Sequence, residues 1–137
     1  FVFETSLKFY PTDRLYLWGN FTLMEAKFKQ TGNQVPLVPN YSAKLGIEWQ
    51  IFDPLLLALT GSFIGSQYDG NDITNDRFAK LDPYQVFDAK LTYTFKKFTF
   101  FCGVNNIFNE LYETVAFSES YFPMPTRNYY AGLAWSL

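Results

Sequence analysis

Apolar and polar residues alternate along most of this chain, as they do in a β-strand with one apolar side and one wet side. In segment 41–51 every second residue is apolar, and the intervening residues are small, polar or charged. A helix would scatter Lys44, Glu48 and Trp49 around its surface, so the strand interpretation is favoured. The same alternation predicts about seven strands, at 1–10, 15–29, 41–51, 55–68, 84–95, 98–105 and 126–137.

The predicted connections between these strands differ in length in a regular way. Short turns are predicted at 11–14, 53–54 and 96–97, and long loops at 31–40, 69–83 and 106–125. If the C-terminus lies on the short-turn side, every short turn falls on that side and every long loop on the other. This asymmetry is typical of transmembrane β-barrels, whose strands need about 9–11 residues to cross the bilayer. The pattern therefore predicts an all-β fold of antiparallel transmembrane barrel strands.

Aromatic residues make up 21% of the chain, and many lie near the predicted strand ends. Amphipathic rings gather at the two membrane interfaces of a barrel, which favours two aromatic girdles. The alternative is that Tyr and Phe are simply good strand formers. The residues concerned are Phe9, Tyr10, Trp49, Phe52, Phe95, Phe98 and Trp135 on the short-turn side, and Tyr41, Tyr68, Tyr84 and Tyr129 on the long-loop side.

Composition argues against most catalytic and nucleic-acid functions. The chain has a net charge of −2, without a basic tract, so nucleic acid is not an expected partner. It has no histidine, the commonest general base and metal ligand, and no glycine-rich phosphate loop. We therefore expect no catalytic residues, no bound metal and no cofactor. The single Cys102 excludes an intrachain disulfide, and we expect it to be a small buried hydrophobe.

The predicted loop 69–83 offers two candidate binding features. Oxygen-bearing side chains crowd its first half, and such a group could hold calcium, although the spacing is not that of an EF-hand and a polar loop is favoured. These side chains belong to Asp69, Asn71, Asp72, Asn75 and Asp76. Further along, Arg77 and Lys80 could meet an anionic ligand, and the alternative is again a solvated loop.

Four charged residues fall on the polar side of the central strands: Lys44, Glu48, Asp88 and Lys90. In a barrel this side faces the lumen. The four side chains either form a charge network or are solvated individually, and the second interpretation is favoured.

Several motifs resemble those of TonB-dependent outer-membrane receptors, most specifically near the C-terminus. They are Val-Asn-Asn-Ile-Phe-Asn at 104–109, Tyr112, Pro-Thr-Arg-Asn-Tyr-Tyr at 125–130, Gly132 and the aromatic ending, together with Val-Pro-Asn-Tyr at 38–41, Leu-Gly at 45–46, Tyr-Asp-Gly at 68–70, Leu-Asp-Pro-Tyr at 81–84 and Phe-Asp at 87–88. The resemblance implies a 22-strand barrel in the outer membrane of a Gram-negative bacterium, a plug domain inside it, and uptake of a scarce nutrient, above all a ferric siderophore. It also implies TonB, reached through the plug, as a partner.

The resemblance further implies ligand-contacting residues on the outer loops. Arg127 is the first candidate because its planar fork suits carboxylate or catecholate oxygens. Tyr112, Tyr121 and Arg77 are the others, with Phe122 beside them, and loop packing is the alternative role.

The last strand resembles the tag that the barrel-assembly machinery reads. Tyr130, Gly132, Trp135 and Leu137 fill its pattern, although family members usually end on Phe or Trp.

About seven strands cannot close a barrel, and open edges in lipid leave backbone groups unsatisfied. We therefore expect residues 1–137 to be the C-terminal segment of a longer receptor barrel, without the plug. Two alternatives remain open. One is a small complete barrel with a structural or adhesive role, which would need an eighth strand or pairing between chains. The other is a soluble β-sandwich that binds a ligand.

Overall fold

Nine β-strands make up the regular structure of the computed structural model, which describes residues 1–136. They are β1 Val2–Thr12, β2 Leu15–Met24, β3 Tyr41–Phe52, β4 Leu55–Ile64, β5 Tyr84–Phe95, β6 Phe98–Asn105, β7 Glu113–Phe117, β8 Ser120–Pro123 and β9 Asn128–Trp135. Seven of them form one antiparallel sheet in the order β1-β2-β3-β4-β5-β6-β9, and β7 pairs with β8. The all-β, antiparallel prediction and the seven strands of the main sheet are confirmed. No helix in residues 1–136 is long and apolar enough to cross a membrane.

Several strand boundaries differ from the sequence prediction. β1 runs on to Thr12, β2 ends at Met24 rather than at residue 29, β4 ends at Ile64 rather than at 68, and β9 begins at Asn128 rather than at 126. Beyond Met24 and Ile64 the chain turns into loops that pair only through single bridges, Lys27 with Gln34 and Gln67 with Leu81. The alternation of apolar residues continues past the point where the neighbouring strand ends. It therefore overestimated the lengths of β2 and β4.

The segment expected as a loop at 106–125 contains the hairpin β7–β8, which the sequence prediction missed. The two residues at its tip, Ser118 and Glu119, both have positive φ angles, of 50° and 62°. This is the backbone of a type I′ turn, which usually takes Asn-Gly or another glycine-containing pair. The usual sequence signal for a tight hairpin is therefore absent here.

Strand register separates the side chains into two chemically different faces. Directly opposed residues of an antiparallel pair lie on the same face, and one row crosses the sheet from Leu7 through Gly19, Leu45 and Gly61 to Phe87. The face that contains this row is almost entirely apolar and is called the apolar face. The opposite, polar face carries Glu4, Lys8, Asn20, Thr22, Lys44, Glu48, Thr60, Asp88, Lys90 and Thr92.

The described residues leave most of the apolar face uncovered. Leu45, Trp49, Phe100 and Leu133 are each between 47% and 59% exposed. In the described residues, by contrast, the buried hydrophobic side chains are Leu81, Val86 and Ala116. Residues 1–136 therefore contain no second layer that buries the apolar face of the sheet, which disfavours a soluble β-sandwich.

Cys102 lies on this apolar face, opposite Leu91 and Ala131, and is exposed. The expectation that it is buried is wrong. The sequence placed it correctly among apolar neighbours, but no other element in the described part of the chain covers Cys102.

Glycines shape both faces. On the apolar face, Gly19 and Gly61 flank Leu45, and grooves of about 580 Å³ and 370 Å³ lie beside them. On the polar face, an aromatic ring occupies the position that a Cβ would take at the glycine directly opposite it. These pairs are Trp18 with Gly46, Phe101 with Gly132, and Tyr130 with Gly103. Rings that cover cross-strand glycines in this way stabilise sheets and fix their register.

Candidate functional site

Three long loops lie at one end of the main sheet, as the sequence predicted. The first loop comprises residues 25–40, the second 65–83 and the third 106–127, which includes the hairpin β7–β8. The short turns at 13–14, 53–54 and 96–97 lie at the other end because neighbouring strands run antiparallel. The loop end collects most of the candidate binding residues and is the candidate functional site.

The carboxylate of Asp69, in the second loop, holds the tip of the β7–β8 hairpin. Its Oδ1 accepts hydrogen bonds from the backbone N–H groups of Asn71 and Ser118, at 2.9 and 2.8 Å, and its Oδ2 accepts one from Glu119 at 3.1 Å. Asp69 is only 1% exposed. The charge is therefore satisfied by donors that include both residues of the type I′ turn.

Further hydrogen bonds join the second loop to the hairpin along its length. The Gly70 N–H donates to the carbonyl of Ala116 at 2.8 Å, and the Gln67 side-chain amide donates to the carbonyl of Thr114 at 2.8 Å. The Phe117 ring occupies the space where a Cβ on Gly70 would stand, so glycine permits this close approach. The hairpin is therefore docked rather than free.

Asp72 fixes the second loop internally. Its buried carboxylate accepts hydrogen bonds from the backbone N–H groups of Asp76, Arg77 and Phe78. This arrangement resembles a helix cap, in which a side-chain oxygen satisfies consecutive backbone donors. The loop stays compact although it lacks regular secondary structure.

Asn75 connects the second loop to the first. Its Oδ1 accepts a hydrogen bond from the Gln34 N–H at 2.6 Å, and its Nδ2 donates to the Gln34 carbonyl at 3.0 Å. This imitates one rung of a β-ladder with a side chain. Its φ of 65° is a conformation that asparagine tolerates better than most residues.

The asparagines of the motif at 104–109 organise the start of the third loop. Asn106 is 3% exposed with a φ of 55°, and its N–H donates to the Asp88 carboxylate at 2.8 Å. Its side chain bonds both ways to the backbone of Glu110, at 2.8 Å each. Asn109 accepts a hydrogen bond from the Arg127 N–H at 3.0 Å. The motif is thus a structural clamp that closes the two ends of the third loop.

The predicted ligand residues occupy different parts of the loop end. Arg77 lies over the ring of Phe78, 5.5 Å from its centre, and Tyr121 is on β8, 45% exposed. Tyr112 stacks on Tyr84 with ring centres 4.4 Å apart. Within residues 1–136 no hydrogen bond or ring contact joins any two of the four predicted residues.

Arg127, the first choice, is exposed and donates from Nη1 to the carbonyl of Ile107 at 3.3 Å. One guanidinium nitrogen is therefore engaged in loop structure, while Arg has further donors in its fork. Burial and the Asp88 carboxylate raise the pKa of Tyr112, so this phenol stays protonated and can donate a hydrogen bond.

The other predicted groups are placed as follows. Lys44, Glu48, Asp88 and Lys90 lie on the polar face, but in the described part of the chain no ion pair joins them. Lys90 Nζ lies 5.1 Å from the centre of the Phe101 ring.

Tyr130, Gly132 and Trp135 are on β9, and Leu137 lies outside the described residues. In residues 1–136 no cluster of three or more acidic, Cys or His side chains is arranged to hold a metal.

Sequence inspection missed the residues that organise the loop end. Gln67 and Asn106 were not singled out as polar anchors, and Asp69 and Asn75 were considered only as possible calcium ligands. The structure gives all four side chains hydrogen bonds to backbone groups instead. The only available signal was composition, since Asp and Asn are the residues that most often bond to nearby backbone and accept positive φ.

Comparison with known proteins gives consistent matches. The family model described as "TonB dependent receptor-like, beta-barrel" matches residues 3–107. The ferric enterobactin receptor of Pseudomonas aeruginosa is 30% identical over 115 residues, which cover 78% of this chain and 15% of that protein.

Two crystal structures are also similar. The siderophore receptor PiuA from Acinetobacter baumannii has a TM-score of 0.80 at 19% identity, over 96% of this chain and 21% of that one, which shows a shared fold. A mutant ferric enterobactin receptor from Pseudomonas aeruginosa, in complex with enterobactin, has a TM-score of 0.78 at 25% identity, over 95% and 21%. The chain spans between 15% and 21% of the length of these relatives.

The buried carboxylates of the loop end ionise more readily than exposed ones. Burial alone would raise the pKa of Asp69, but the hydrogen bonds from Asn71, Ser118 and Glu119 outweigh it and lower the pKa. The same balance, with donors Arg77, Phe78, Asp76 and Asn75, lowers the pKa of Asp72. Because the folded pKa lies below the value of the unfolded chain, each ionised carboxylate stabilises the loops above about pH 3.9, and this stabilisation is lost as the pH falls through the folded pKa.

Acid should therefore release the β7–β8 hairpin. With Cys102 replaced by Ser, a nitroxide attached at Ser120→Cys should remain immobilised from neutral pH down to below about pH 3.9 and become mobile only in stronger acid. In Asp69→Asn the label should be mobile at every pH, whereas Asp76→Asn, an exposed carboxylate of the same loop, should behave as the parent. Electron paramagnetic resonance spectra at room temperature measure this mobility. A parent label that becomes mobile between pH 6 and 5, or one that stays immobilised in Asp69→Asn, would contradict the prediction.

Proposed function

The chain belongs to the TonB-dependent receptor β-barrel family, and on that premise we propose that it forms a sector of an outer-membrane receptor wall. The observation that carries the proposal is the two-faced sheet, in which strand register separates an exposed apolar face from a polar face. In this arrangement the apolar face contacts outer-membrane lipid and the polar face lines the lumen. The long loops then face the exterior and the short turns the periplasm.

The remainder of a barrel completes this sector. In the described residues β1 and β9 each pair with a strand on one side only. Unpaired edges are costly in lipid, so further strands of the receptor pair with both edges. Residues 1–137 then form the C-terminal segment of a 22-strand barrel, as the resemblance of the motifs implies, and the plug and its TonB contact are contributed by other parts of the receptor.

The transported ligand is a ferric siderophore, and we assign it to the catecholate class. The Pseudomonas aeruginosa relative is a ferric enterobactin receptor, and a mutant ferric enterobactin receptor from the same species was solved with enterobactin bound. Arg127 and Arg77 offer cationic donors at the loop end, and Tyr112 and Tyr121 offer phenol groups and aromatic surface. The segment acts in recognition and transport rather than catalysis, and neither nucleic acid nor a resident cofactor takes part.

The assignment of faces can be tested with two adjacent residues of β3. Nitroxides at Lys44→Cys and Leu45→Cys, introduced separately with Cys102→Ser into the receptor in outer-membrane vesicles, should report opposite surroundings. Leu45 should be more accessible to oxygen, which partitions into lipid, and Lys44 to a water-soluble nickel complex. Power-saturation measurements give both accessibilities.

The adjacent pair Ala58 and Leu59 on β4 provides an independent repeat of this test, because Ala58 is opposite Glu48 and Leu59 is opposite Ile47. Greater nickel accessibility at Leu45 and Leu59 than at Lys44 and Ala58 would show that the apolar face is in water and would overturn the proposal.

The ligand assignment predicts that loop cations contribute to binding. Arg77→Gln and Arg127→Gln should each weaken the binding of ferric enterobactin about tenfold, equivalent to about 1.4 kcal/mol, since each removes a charge-assisted contact. Lys29→Gln, an exposed cation of the first loop, is the matched control and should bind as the parent. Fluorescence quenching on intact cells gives the dissociation constants.

Arg127 also needs a structural control because it donates to the Ile107 carbonyl. Arg127→Lys keeps the charge but loses the fork, so it should recover only part of the affinity. Parental affinity in both glutamine variants would remove Arg77 and Arg127 from the ligand site.

The assembly tag can be separated from ordinary packing by a matched pair of glycines. Gly132→Ala and Gly46→Ala each introduce a Cβ where an aromatic ring lies, so each should destabilise the sheet by about 1–3 kcal/mol. Only Gly132 belongs to the proposed tag with Tyr130, Trp135 and Leu137. The amount of receptor in the outer membrane, measured by immunoblot, should fall further for Gly132→Ala. Equal amounts for the two variants would leave packing as the whole explanation.

A further inference from the structure

The second loop is hydrogen-bonded to both of its neighbours. Toward the third loop, the seam consists of Asp69, Gly70 and Gln67, whose partners lie along the β7–β8 hairpin. Toward the first loop, Asn75 bonds both ways to Gln34. Each long loop is therefore attached to something other than its own strands.

The seam with the first loop extends beyond Asn75. The Leu37 N–H donates to the Tyr68 carbonyl at 3.0 Å, and the Asn33 side chain donates to the Ile73 carbonyl at 3.1 Å. These bonds distribute the contact over most of the first loop. The first loop is therefore fixed at several points.

The part of the second loop between the two seams is itself held rigidly. Asp72 lies between Asp69 and Asn75, and its buried carboxylate gathers the N–H groups of Asp76, Arg77 and Phe78. The Asp72 carbonyl also accepts a hydrogen bond from the Asn75 side chain at 3.1 Å. A displacement of the hairpin therefore cannot be absorbed in this segment without breaking bonds to a buried charge, which are among the more costly hydrogen bonds to lose.

The burial pattern agrees with a rigidly held second loop. Asp69, Asp72 and Leu81 of the second loop are at most 2% exposed, and so is Ala116 of the hairpin. Few described residues of the chain are buried so completely, and none of these four is in the seven-stranded sheet. The best-packed region of the segment is thus at the loop end.

We propose that the three long loops form a single rigid unit, with the second loop as its core and Asp69 as the positioning residue of the β7–β8 hairpin. Surface loops usually open independently because little holds them to one another. Here the hydrogen-bonded seams place the first and third loops in a fixed relation across the second. As far as it concerns ligand, the inference rests on the proposed function: Tyr121 and Arg77 are then presented in a preformed arrangement, which lowers the entropy cost of binding.

Distances across the unit test the proposal. Spin labels are introduced by Lys29→Cys in the first loop and Ser120→Cys in the hairpin, in the receptor freed of other cysteines and held in outer-membrane vesicles. Double electron–electron resonance should give one narrow distance distribution. Asp69→Asn keeps the side-chain shape but loses one acceptor, and it should widen the distribution at least about twofold because local opening becomes accessible.

Two further variants make the result specific. Asn75→Gly preserves the positive φ but removes the side-chain bonds to Gln34, so it should widen the distribution by releasing the other seam. Asp76→Asn removes the same charge from an exposed position of the same loop and should leave the distribution narrow. A broad distribution in the parent, or narrow ones in both Asp69→Asn and Asn75→Gly, would overturn the rigid unit.

Addition of ferric enterobactin tests whether Asp69 positions the hairpin for ligand, because a residue that only stabilises the loops would give no response to ligand. If the unit moves as one body, saturating ligand should leave the distance from Lys29 to Ser120 unchanged in the parent. In Asp69→Asn the same ligand should narrow the distance distribution. A ligand-induced change of distance in the parent would contradict the proposal. The measurements without ligand decide the rigid unit even if ferric enterobactin does not bind, so failure of the proposed function is distinguishable.

Discussion

Strand register is the constraint on which the rest of this structure depends. A shift of one residue between neighbouring strands would move every apolar side chain of a strand to the polar face. The row from Leu7 to Phe87 crosses five strands in register, and the two shifts in these pairings lie beside the short turns, between Phe9 and Thr12 and between Gln50 and Phe52. Aromatic rings over the opposing glycines at Gly46, Gly103 and Gly132 oppose such a shift, because only the native register aligns each ring with its glycine.

The two ends of the sheet follow from the same register but differ in what stabilises them. The short-turn end needs little beyond tight turns. The loop end has its own small core, which is organised by buried carboxylates rather than by a large group of apolar side chains. These carboxylates accept hydrogen bonds from backbone N–H groups of their own and neighbouring loops. Such a core suits loops that face water, because polar anchors fix their shape without requiring a large apolar surface.

Local sequence patterns predicted the strands well and the loops poorly. Alternation located all seven strands of the main sheet, since a period of two is a property of each strand alone. It overextended β2 and β4 because strand ends depend on where the neighbouring strand stops. It missed β7 and β8 because Ser118 and Glu119 are not the usual residues of a type I′ turn. Their conformation is supported by Asp69, nearly fifty residues away in sequence.

The sequence by itself determined the all-β class, the two faces and the side of the sheet on which each loop lies, because alternation and turn length act over a few residues. The family motif at 104–109 was also visible, although its physical role was not. The tertiary structure decided that Asn109 closes the third loop by accepting from the Arg127 N–H, that Asp69 holds the hairpin and that Cys102 is exposed. Each of these depends on which distant backbone donor or covering surface is close in space, and a period in the sequence carries no information about that.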